Sequence, residues 1–259
     1  MSRPSADTPP LAWLTPGQPF PPVSQAWAHE SAAPGLLCAG GDLTVASLTQ
    51  AYSQGIFPWF SDPQPILWWS PDPRMLLAVA DFRLHPSLRK TLKKFLNAAN
   101  SEIRVDSAFD SVIRNCASSA RFGQLGTWIT PQMIQAYQDF HHAGFAHSVE
   151  TWVNGEMLGG LYFISMGGAV FGESMFHRAT DCSKIAMAAM VAMCHRFEVT
   201  HIDCQQNTRH LASLGAREVP RNKFTQQLSQ DVCRPQPDWH FSPVYWNEIL
   251  AYKPPARDL

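Results

Sequence analysis

The spacing of apolar residues changes near residue 145 of this chain. Before that point, apolar side chains recur every three or four positions, which is typical of helices packed on one face. Helices are predicted there at about 44–54, 88–96, 107–118 and 131–143, and a short strand at 74–79. Thr44 suits the N-cap of the first helix, and Gly55 ends it.

From Ala146 to about residue 176, apolar and polar residues alternate with the period of two that marks strands. The elements predicted in this half are strands at 146–153, 157–165 and 169–176, a helix at 182–197, a strand at 200–205, a short helix ending at 215, a strand at 217–219 and a helix at 223–229. Asn154-Gly155 favours a tight hairpin, and Asp181 is placed to cap the long helix. The order is α+β and matches acetyltransferase-like folds.

The composition is that of a globular protein with many prolines. The chain of 259 residues is 45% hydrophobic, and its formal net charge is −1. Nucleic-acid binding would therefore depend on a local basic patch rather than on an overall field. No apolar run approaches the length of a membrane span, and the amino terminus lacks a secretory pattern. We expect a cytoplasmic protein.

The cysteines and histidines form no recognisable metal or redox motif. Neither Cys-x-x-Cys nor His-Glu-x-x-His occurs, and the six cysteines stand among apolar or small residues, as buried cysteines do in a reducing compartment. Glycine-rich phosphate-binding and dinucleotide-binding motifs are also missing. The sequence therefore predicts no metal site.

A proline-rich stretch from Gly55 to Arg74 carries three tryptophans and two phenylalanines. Because proline restricts φ and lacks an amide donor, this stretch is predicted to be neither a helix nor a central strand. Aromatic faces beside a cation suit a planar, partly anionic ligand such as a nucleotide. The alternative is that the rings fill a small core.

Two predicted strands carry polar residues among apolar ones. Alternation puts Asp203 and Gln205 on one face of their strand, and Glu173 on the same face as Phe171 and Met175. A carboxylate on an apolar strand is costly to bury without partners. These residues form either a buried hydrogen-bond network or an acyl-transfer site, in which an acid orients or deprotonates a nucleophile.

The helix predicted at 88–96 is strongly basic. Its cationic side chains are Arg89, Lys90, Lys93 and Lys94. Such a run is commonly a solvated face, but here it follows the aromatic stretch directly, which favours contact with phosphates.

Many short motifs, taken together and in order, resemble those of the leucyl/phenylalanyl-tRNA–protein transferase family. They are Gly40-Gly-Asp-Leu43, Ala51-Tyr52, Gly55-Ile-Phe-Pro-Trp-Phe60, Leu67-Trp-Trp-Ser-Pro-Asp-Pro-Arg74, Gly126-Thr-Trp-Ile129, His147-Ser-Val-Glu150, Gly159-Gly-Leu-Tyr162, Phe171-Gly-Glu-Ser-Met-Phe176, Ser183-Lys184, Ile202-Asp-Cys-Gln205 and Leu211-Ala-Ser-Leu-Gly-Ala216. The resemblance extends from about residue 20 to about residue 230.

The resemblance implies a small N-terminal domain joined to an acetyltransferase-like (GNAT-type) mixed-sheet domain. With the composition, it divides the chain into a loosely ordered segment at 1–34, the small domain with the aromatic stretch at 35–80, the catalytic domain at 81–235 and a tail at 236–259. The implied reaction moves leucine or phenylalanine, and also methionine, from aminoacyl-tRNA to the N-terminal Arg or Lys of proteins, marking them for degradation in the bacterial cytoplasm. No metal or organic cofactor is implied, and we expect a monomer.

The resemblance also assigns the site residues. Trp59 and Trp128 match an aromatic pair that holds the terminal adenosine. The polar groups at the reacting ester match Asp203, Gln205 and Glu173. The donor side-chain pocket matches Leu161, Val170, Met175 and Ile202, and the tRNA-binding surface matches the helix with Arg89, Lys90, Lys93 and Lys94.

This chain departs from the family pattern at three places. The basic segment starting at His85 is shorter and lacks one arginine, His177 stands where serine is usual, and Val170 stands where phenylalanine is common. The tail after Pro235 lies outside the resemblance.

An aminoacyl ester is already activated, which agrees with the absence of a recognisable Ser-His-Asp or Cys-His arrangement. The enzyme must bind the ester, present a neutral amine and stabilise the oxyanion. The sequence leaves open whether Asp203 acts as a base or orients the amine through Gln205. Two other functions also stay open: an aminoacyl-tRNA-dependent ligase of cell-wall peptides, and a tRNA-binding module without catalysis.

Overall fold

The computed structural model describes residues 10–119 and 129–251. The α-helices in this part of the chain are α1 (Val45–Ser53), α2 (Pro86–Asn97), α3 (Phe109–Ser118), α4 (Pro131–His142), α5 (Cys182–Arg196), α6 (Arg209–Ser213), α7 (Arg221–Asp231) and α8 (Trp246–Leu250). None of these helices is long and apolar enough to cross a membrane.

The strands in the same described ranges form two sheets. They are β1 (Ala12–Leu14), β2 (Leu36–Gly40), β3 (Phe57–Pro58), β4 (Leu67–Trp69), β5 (Arg74–Ala78), β6 (Ser101–Val105), β7 (Ala146–Val153), β8 (Glu156–Met166), β9 (Ala169–His177), β10 (His201–Gln205) and β11 (Arg217–Val219).

The smaller sheet has the order β1-β2-β4-β3, and only β1 and β2 run parallel among its described strands. Its β4 lies between β2 and β3, so the prediction that the aromatic stretch contains no central strand was wrong for Leu67–Trp69. The strand forms because Trp68 is buried on one face and its indole Nε1 donates to the Gly40 carbonyl oxygen. Tertiary packing thus overrides the disfavouring effect of the flanking prolines.

The larger sheet has the order β11-β5-β10-β9-β8-β7-β6. Strands β6 to β9 form an antiparallel meander, and helix α5 then returns the chain so that β10 pairs parallel to β9. Asn154 and Gly155 both have positive φ, 53° and 77°, as the tight hairpin between β7 and β8 requires. The predicted α+β class, with a small N-terminal unit and a larger mixed sheet, is confirmed.

Two predicted segments differ from the structure. Residues 10–34 were expected to be loosely ordered, yet β1 pairs with β2, and Leu14 and Ala26 are buried. Strand β5 pairs within the larger sheet, so the change of sheet falls between β4 and β5 rather than at residue 80. The division into domains otherwise stays a prediction.

The tail also has a defined place. Trp239, Tyr245, Trp246 and Ile249 are buried in the same apolar cluster as helix α5. Because the spacing of these side chains follows no regular period, the sequence did not indicate their burial. The segment at 236–251 is therefore part of the core of the larger unit.

Helix α5 is buried along nearly its whole length, which explains its uniformly apolar sequence. Asp181 occupies its N-cap position but has φ of 65° and makes no capping hydrogen bond. Its carboxylate instead accepts from Lys184 Nζ and Thr91 Oγ1. The prediction of a side-chain cap was therefore wrong.

Candidate active site

A cavity of about 390 Å³ opens where β9 extends beyond β10, beside the smaller sheet. The paired register of these two strands includes only Ile202 with Val170 and Asp203 with Phe171, so β9 continues past its neighbour. The walls of the cavity are formed by Phe57, Pro58, Trp59, Leu161, Tyr162, Gly172, Glu173, Ser174, Met175, Met187, Met190, Ile202, Cys204, Gln205, Gln206, Thr208, His210 and Leu211. The lining therefore combines apolar side chains with polar ones, Glu173 and Gln205 among them.

The apolar walls come from both the sheet and helix α5. Leu161, Met175 and Ile202 lie on strands, and Met187 and Met190 reach the cavity from α5. Unbranched methionine side chains adapt to different apolar shapes. These walls suit a medium-sized apolar group.

Trp59 stands at the cavity beside the smaller sheet. Its ring is partly exposed and packs edge-to-face against Trp69, with 5.3 Å between ring centroids. The Trp69 indole Nε1 donates to the Trp59 backbone oxygen at 2.7 Å and holds the residue in place. An indole face at the edge of a cavity is available for stacking on a planar ring.

Glu173 lines the cavity, and its carboxylate accepts two hydrogen bonds on Oε1. Tyr52 Oη donates to it at 2.8 Å and Gln205 Nε2 at 2.9 Å. The Tyr137 hydroxyl lies 2.6 Å from that of Tyr52. Because a hydroxyl has one proton, and Tyr52 uses its own on Glu173, Tyr137 donates to Tyr52.

Burial raises the pKa of Glu173 to about 7. The hydrogen bond from Tyr52 acts in the opposite direction, and the nearby negative charge of Asp203 raises the pKa further. Burial likewise raises the pKa of both Tyr52 and Tyr137 well above the ordinary tyrosine value, so both hydroxyls stay protonated. Glu173 can therefore change its charge near neutral pH.

Asp203 is buried in a two-point ion pair with Arg74 and does not line the cavity. Arg74 Nε donates to Oδ1 at 2.9 Å, and Nη2 donates to Oδ2 at 2.6 Å. The backbone N–H of Gln205 also donates to Asp203 Oδ1 at 2.9 Å. The carboxylate is thus engaged on both oxygens.

Gln205 ends β10 at a register shift and has φ of 61°, a left-handed conformation that is uncommon outside glycine. The bond from its N–H to Asp203 accompanies this conformation. The side chain then reaches Glu173. Asp203, Gln205 and Glu173 therefore lie together, but only Gln205 and Glu173 line the cavity.

The face prediction for β9 was wrong in part, because Phe171 and Met175 do not share a face, whereas Glu173 and Phe171 both contact Tyr52. A register shift against β8 falls between Tyr162 and Phe163, so no residue of β8 is paired directly opposite Glu173. Phe171 consequently packs in the cluster with Tyr52, whereas Met175 packs against the cluster with α5. The extra residue breaks strict alternation and lets Glu173 meet Tyr52.

The structure places three of the four predicted pocket residues at the cavity, and it describes one of the two tryptophans that were predicted to hold the adenosine. Leu161, Met175 and Ile202 line the cavity, but Val170 is buried in the α5 cluster and is not among the lining residues. Trp128 lies outside the described residues. Trp59 is the described member of the predicted aromatic pair.

Helix α2 presents its lysines to solvent. Lys90, Lys93 and Lys94 are exposed, while Leu88 and Leu92 face the core. Arg89 is half-buried, and its Nη1 donates to the Leu250 backbone oxygen at 2.8 Å. The lysines are available to a ligand, whereas Arg89 also anchors the C-terminal segment.

The sequence did not indicate a role in the site for Tyr52, Tyr137, Met187 or Met190. It suggested Arg74 as the cation beside aromatic faces that bind a nucleotide, which was wrong, because Arg74 is fully buried and paired with Asp203. Tyr52 and Arg74 belong to motifs of the family resemblance, but their partners lie far away in the chain. The two methionines are three positions apart on an apolar helix, a spacing that puts them on one face. Only the fold shows that this face is turned to the cavity.

Within the described residues, no group of three or more His, Cys, Asp or Glu side chains is placed to hold a metal ion. The site instead combines an adaptable apolar cavity, an aromatic face and a carboxylate that titrates near neutrality. This arrangement, on an α+β fold in which β9 extends beyond β10, suits an enzyme that holds an apolar group beside polar residues.

The chain belongs to the leucyl/phenylalanyl-tRNA protein transferase family, whose members are aminoacyltransferases. The family model matches residues 76–229, and the model of the family's N-terminal domain matches residues 41–72. The leucyl/phenylalanyl-tRNA–protein transferase of Albidiferax ferrireducens is 57% identical over 247 residues, 95% of this chain and 97% of that protein. The protein of the same name from Leptothrix cholodnii is 55% identical, over 92% of this chain and 95% of that protein.

Proposed function

We propose that this protein transfers leucine or phenylalanine, and also methionine, from aminoacyl-tRNA to the N-terminal Arg or Lys of acceptor proteins. The product carries a new peptide bond and is marked for degradation in the cytoplasm. The observation that carries the proposal is the cavity, whose lining brings apolar side chains together with Glu173, Gln205 and Trp59.

The cavity supports a donor side chain that is bulky and unbranched at Cβ. Met175, Met187 and Met190 provide adaptable walls for leucine, phenylalanine or methionine. One methylene or one branch changes binding by only about 1–3 kcal/mol in such a pocket, so the preference is graded. Trp59 stacks on the terminal adenine, and Trp128 is proposed as the second ring of the pair.

The reaction is an aminolysis of the aminoacyl ester. The neutral α-amine of the acceptor forms a bond to the ester carbon, and the bond from that carbon to the ribose oxygen breaks. The proton that the nitrogen loses on becoming an amide ends on the ribose oxygen. A protein α-amine has a pKa of about 7.7–8.0, so its ammonium form must lose a proton first. The enzyme therefore gains rate by accepting this proton and aiming the amine.

Glu173 is the better placed proton acceptor of the two carboxylates. It lines the cavity, and burial raises its pKa to about 7, close to that of the amine. Asp203 is engaged by Arg74 and does not line the cavity. We assign Asp203 to orienting Gln205, and Gln205 to holding the amine beside Glu173.

The donor is also held through its phosphates. Lys90, Lys93 and Lys94 form an exposed basic face of α2, which we call the lysine face, and phosphate contacts suit such a face. The proposal includes a monomeric enzyme that needs no cofactor.

The test is transfer of radiolabelled leucine from leucyl-tRNA to a protein with N-terminal arginine. We expect label in that protein, no label when its first residue is glutamate, and slower reaction from isoleucyl-tRNA than from leucyl-tRNA. Labelling of cell-wall precursor peptides in place of the arginine protein would identify a ligase. Binding of leucyl-tRNA with no transfer to any acceptor would identify a binding module.

A further inference from the structure

Arg74 is a completely buried cation whose guanidinium contacts three separate parts of the chain. Nε and Nη2 hold Asp203 on β10, and Nη1 donates to the Gly55 oxygen at 3.1 Å. The guanidinium carbon lies 4.9 Å from the ring centroid of Phe57 and 4.6 Å from that of Phe224. A side chain with so many simultaneous partners has one available orientation.

The ion pair bears directly on the left-handed turn at Gln205. Asp203 Oδ1 accepts from both Arg74 Nε and the Gln205 N–H. Rotation of the Asp203 carboxylate would break both bonds, so the arginine fixes the acceptor that the Gln205 backbone uses. That backbone in turn sets the direction of the Gln205 amide toward Glu173.

We propose that Arg74 is a positioning residue for aminoacyl transfer, which acts through Asp203 to hold the Gln205 amide in its productive orientation. This inference rests on the proposed function. It assigns the buried ion pair a role in the reaction beyond joining β5 to β10, although Arg74 and Asp203 themselves do not line the cavity.

The planar fork of arginine is essential to this role. Lysine keeps the positive charge but offers a point donor that cannot bond both carboxylate oxygens in parallel. Arg74→Lys therefore frees Asp203 to rotate while retaining charge balance in the core. A misplacement of about 1 Å in a catalytic group can lower a rate by about 10²-fold.

The experiment measures leucyl transfer by four proteins: the parent, Arg74→Lys, Gln205→Ala, and the double variant. We expect Arg74→Lys to lower kcat by on the order of 10²-fold, with the donor KM little changed. In the Gln205→Ala background the same substitution should lower kcat by less than about threefold, because residues that act as a unit are non-additive. If Arg74 only stabilised the fold, Arg74→Lys would lower kcat by the same factor in both backgrounds. That result would overturn the inference.

Arg221→Lys is the matched control. Arg221 is half-buried and donates to a backbone oxygen, that of Ser70, but it makes no contact with Asp203. We expect its kcat to stay within about threefold of the parent value. A reduction equal to that of Arg74→Lys would show that an arginine near β5 matters whether or not it holds Asp203, and would also overturn the inference.

If Arg74→Lys does not fold, Asp203→Asn replaces it as the test variant. Asparagine has the same shape as aspartate and keeps one oxygen acceptor. The kcat of this variant should fall in the parent background and change by less than about threefold beside Gln205→Ala. An equal reduction in both backgrounds would contradict the proposed path. Absence of transfer by the parent protein would refute the proposed function instead, so the two failures are distinguishable.

Discussion

Trp59 is the residue whose predicted role can be tested most directly. The ring lines the cavity and is partly exposed, so it is available to stack on an adenine. Stacking on a base is worth about 1–3 kcal/mol. Trp59→Ala should therefore weaken a short leucyl-adenosine analogue and full leucyl-tRNA by the same factor, measured by equilibrium binding.

Trp13→Ala is the control for that measurement. Trp13 is 65% exposed on β1 and does not line the cavity. We expect it to bind both ligands as the parent does. Normal binding of the analogue by Trp59→Ala would instead make Trp59 a packing residue of the smaller sheet.

Glu173 should make the stability of the protein depend on pH. Its folded-state pKa is about 7, whereas an exposed glutamate has a pKa of about 4.3. Between these values the folded protein holds a proton that the unfolded chain has released, so the free energy of unfolding falls as pH rises and then levels off above 7. Over this whole pH range, the free energy of unfolding falls by at most about 4 kcal/mol because of Glu173.

Glu173→Gln removes this titration. Urea unfolding of both proteins at pH 5 and pH 8 should show that the parent loses more stability on going to pH 8 than the variant does. The difference between the two proteins isolates Glu173 from the other titrating groups. An identical change in both would mean that the Glu173 pKa is not raised in the folded protein.

At the scale of elements, helix α2 has two distinct faces. Leu88, Leu92 and Phe95 are buried, and the lysine face is turned to solvent. Replacing all three lysines with alanine should raise the donor KM and leave kcat nearly unchanged, because phosphate contacts hold the tRNA without acting at the ester. The logarithmic salt dependence of donor binding should become flatter by about 0.7–0.9 for each phosphate that a lysine no longer neutralises.

A double variant, Arg196→Ala with Lys223→Ala, controls for removal of positive charge elsewhere. Both residues are exposed and lie on α5 and α7. The salt dependence of this control should match that of the parent. If the salt dependence of donor binding is the same for the lysine-face variant as for the parent, the lysine face contacts solvent and not the phosphates of the donor.

Most elements were predictable because their signals are local. The Asn154-Gly155 hairpin, the bounds of β7 and β11 and the burial of α5 all follow from neighbours in sequence. Strand β4 was missed because its prolines disfavour strands, while its pairing with β2 and the burial of Trp68 are tertiary. Strand β6 and helix α8 lack a strong period and were also missed.

At the scale of the whole molecule, the C-terminal segment closes the core around α5. Trp246 is 4% exposed and packs against Phe241, with 5.0 Å between ring centroids. Trp246→Ala should lower the free energy of unfolding by about 3–5 kcal/mol, because truncation of a large buried side chain leaves a cavity. Urea unfolding measures this directly.

Val244→Ala is the control in the same segment, since Val244 is 60% exposed. Its stability should stay within about 0.5 kcal/mol of the parent value. If Trp246→Ala were equally neutral, the segment would only cover the core without stabilising it.

The candidate site shows where prediction from sequence ends. Alternation brought Asp203 and Gln205 to one face, and Glu173 was noted both as a carboxylate on an apolar strand and through the family motifs. Neither could reveal that the β9 register shift separates Phe171 from Met175, because a shift is defined only against a partner strand.

The sequence by itself determined the order and type of most elements and the family, since periodicity and motifs depend on neighbouring positions. Only the tertiary structure decided which carboxylate faces the cavity. Arg74 and Asp203 are 129 positions apart, yet their ion pair turns Asp203 away from the cavity and leaves Glu173 there. Burial and the pairing of distant charges are properties of the packed chain, and they set the pKa of Glu173 near 7.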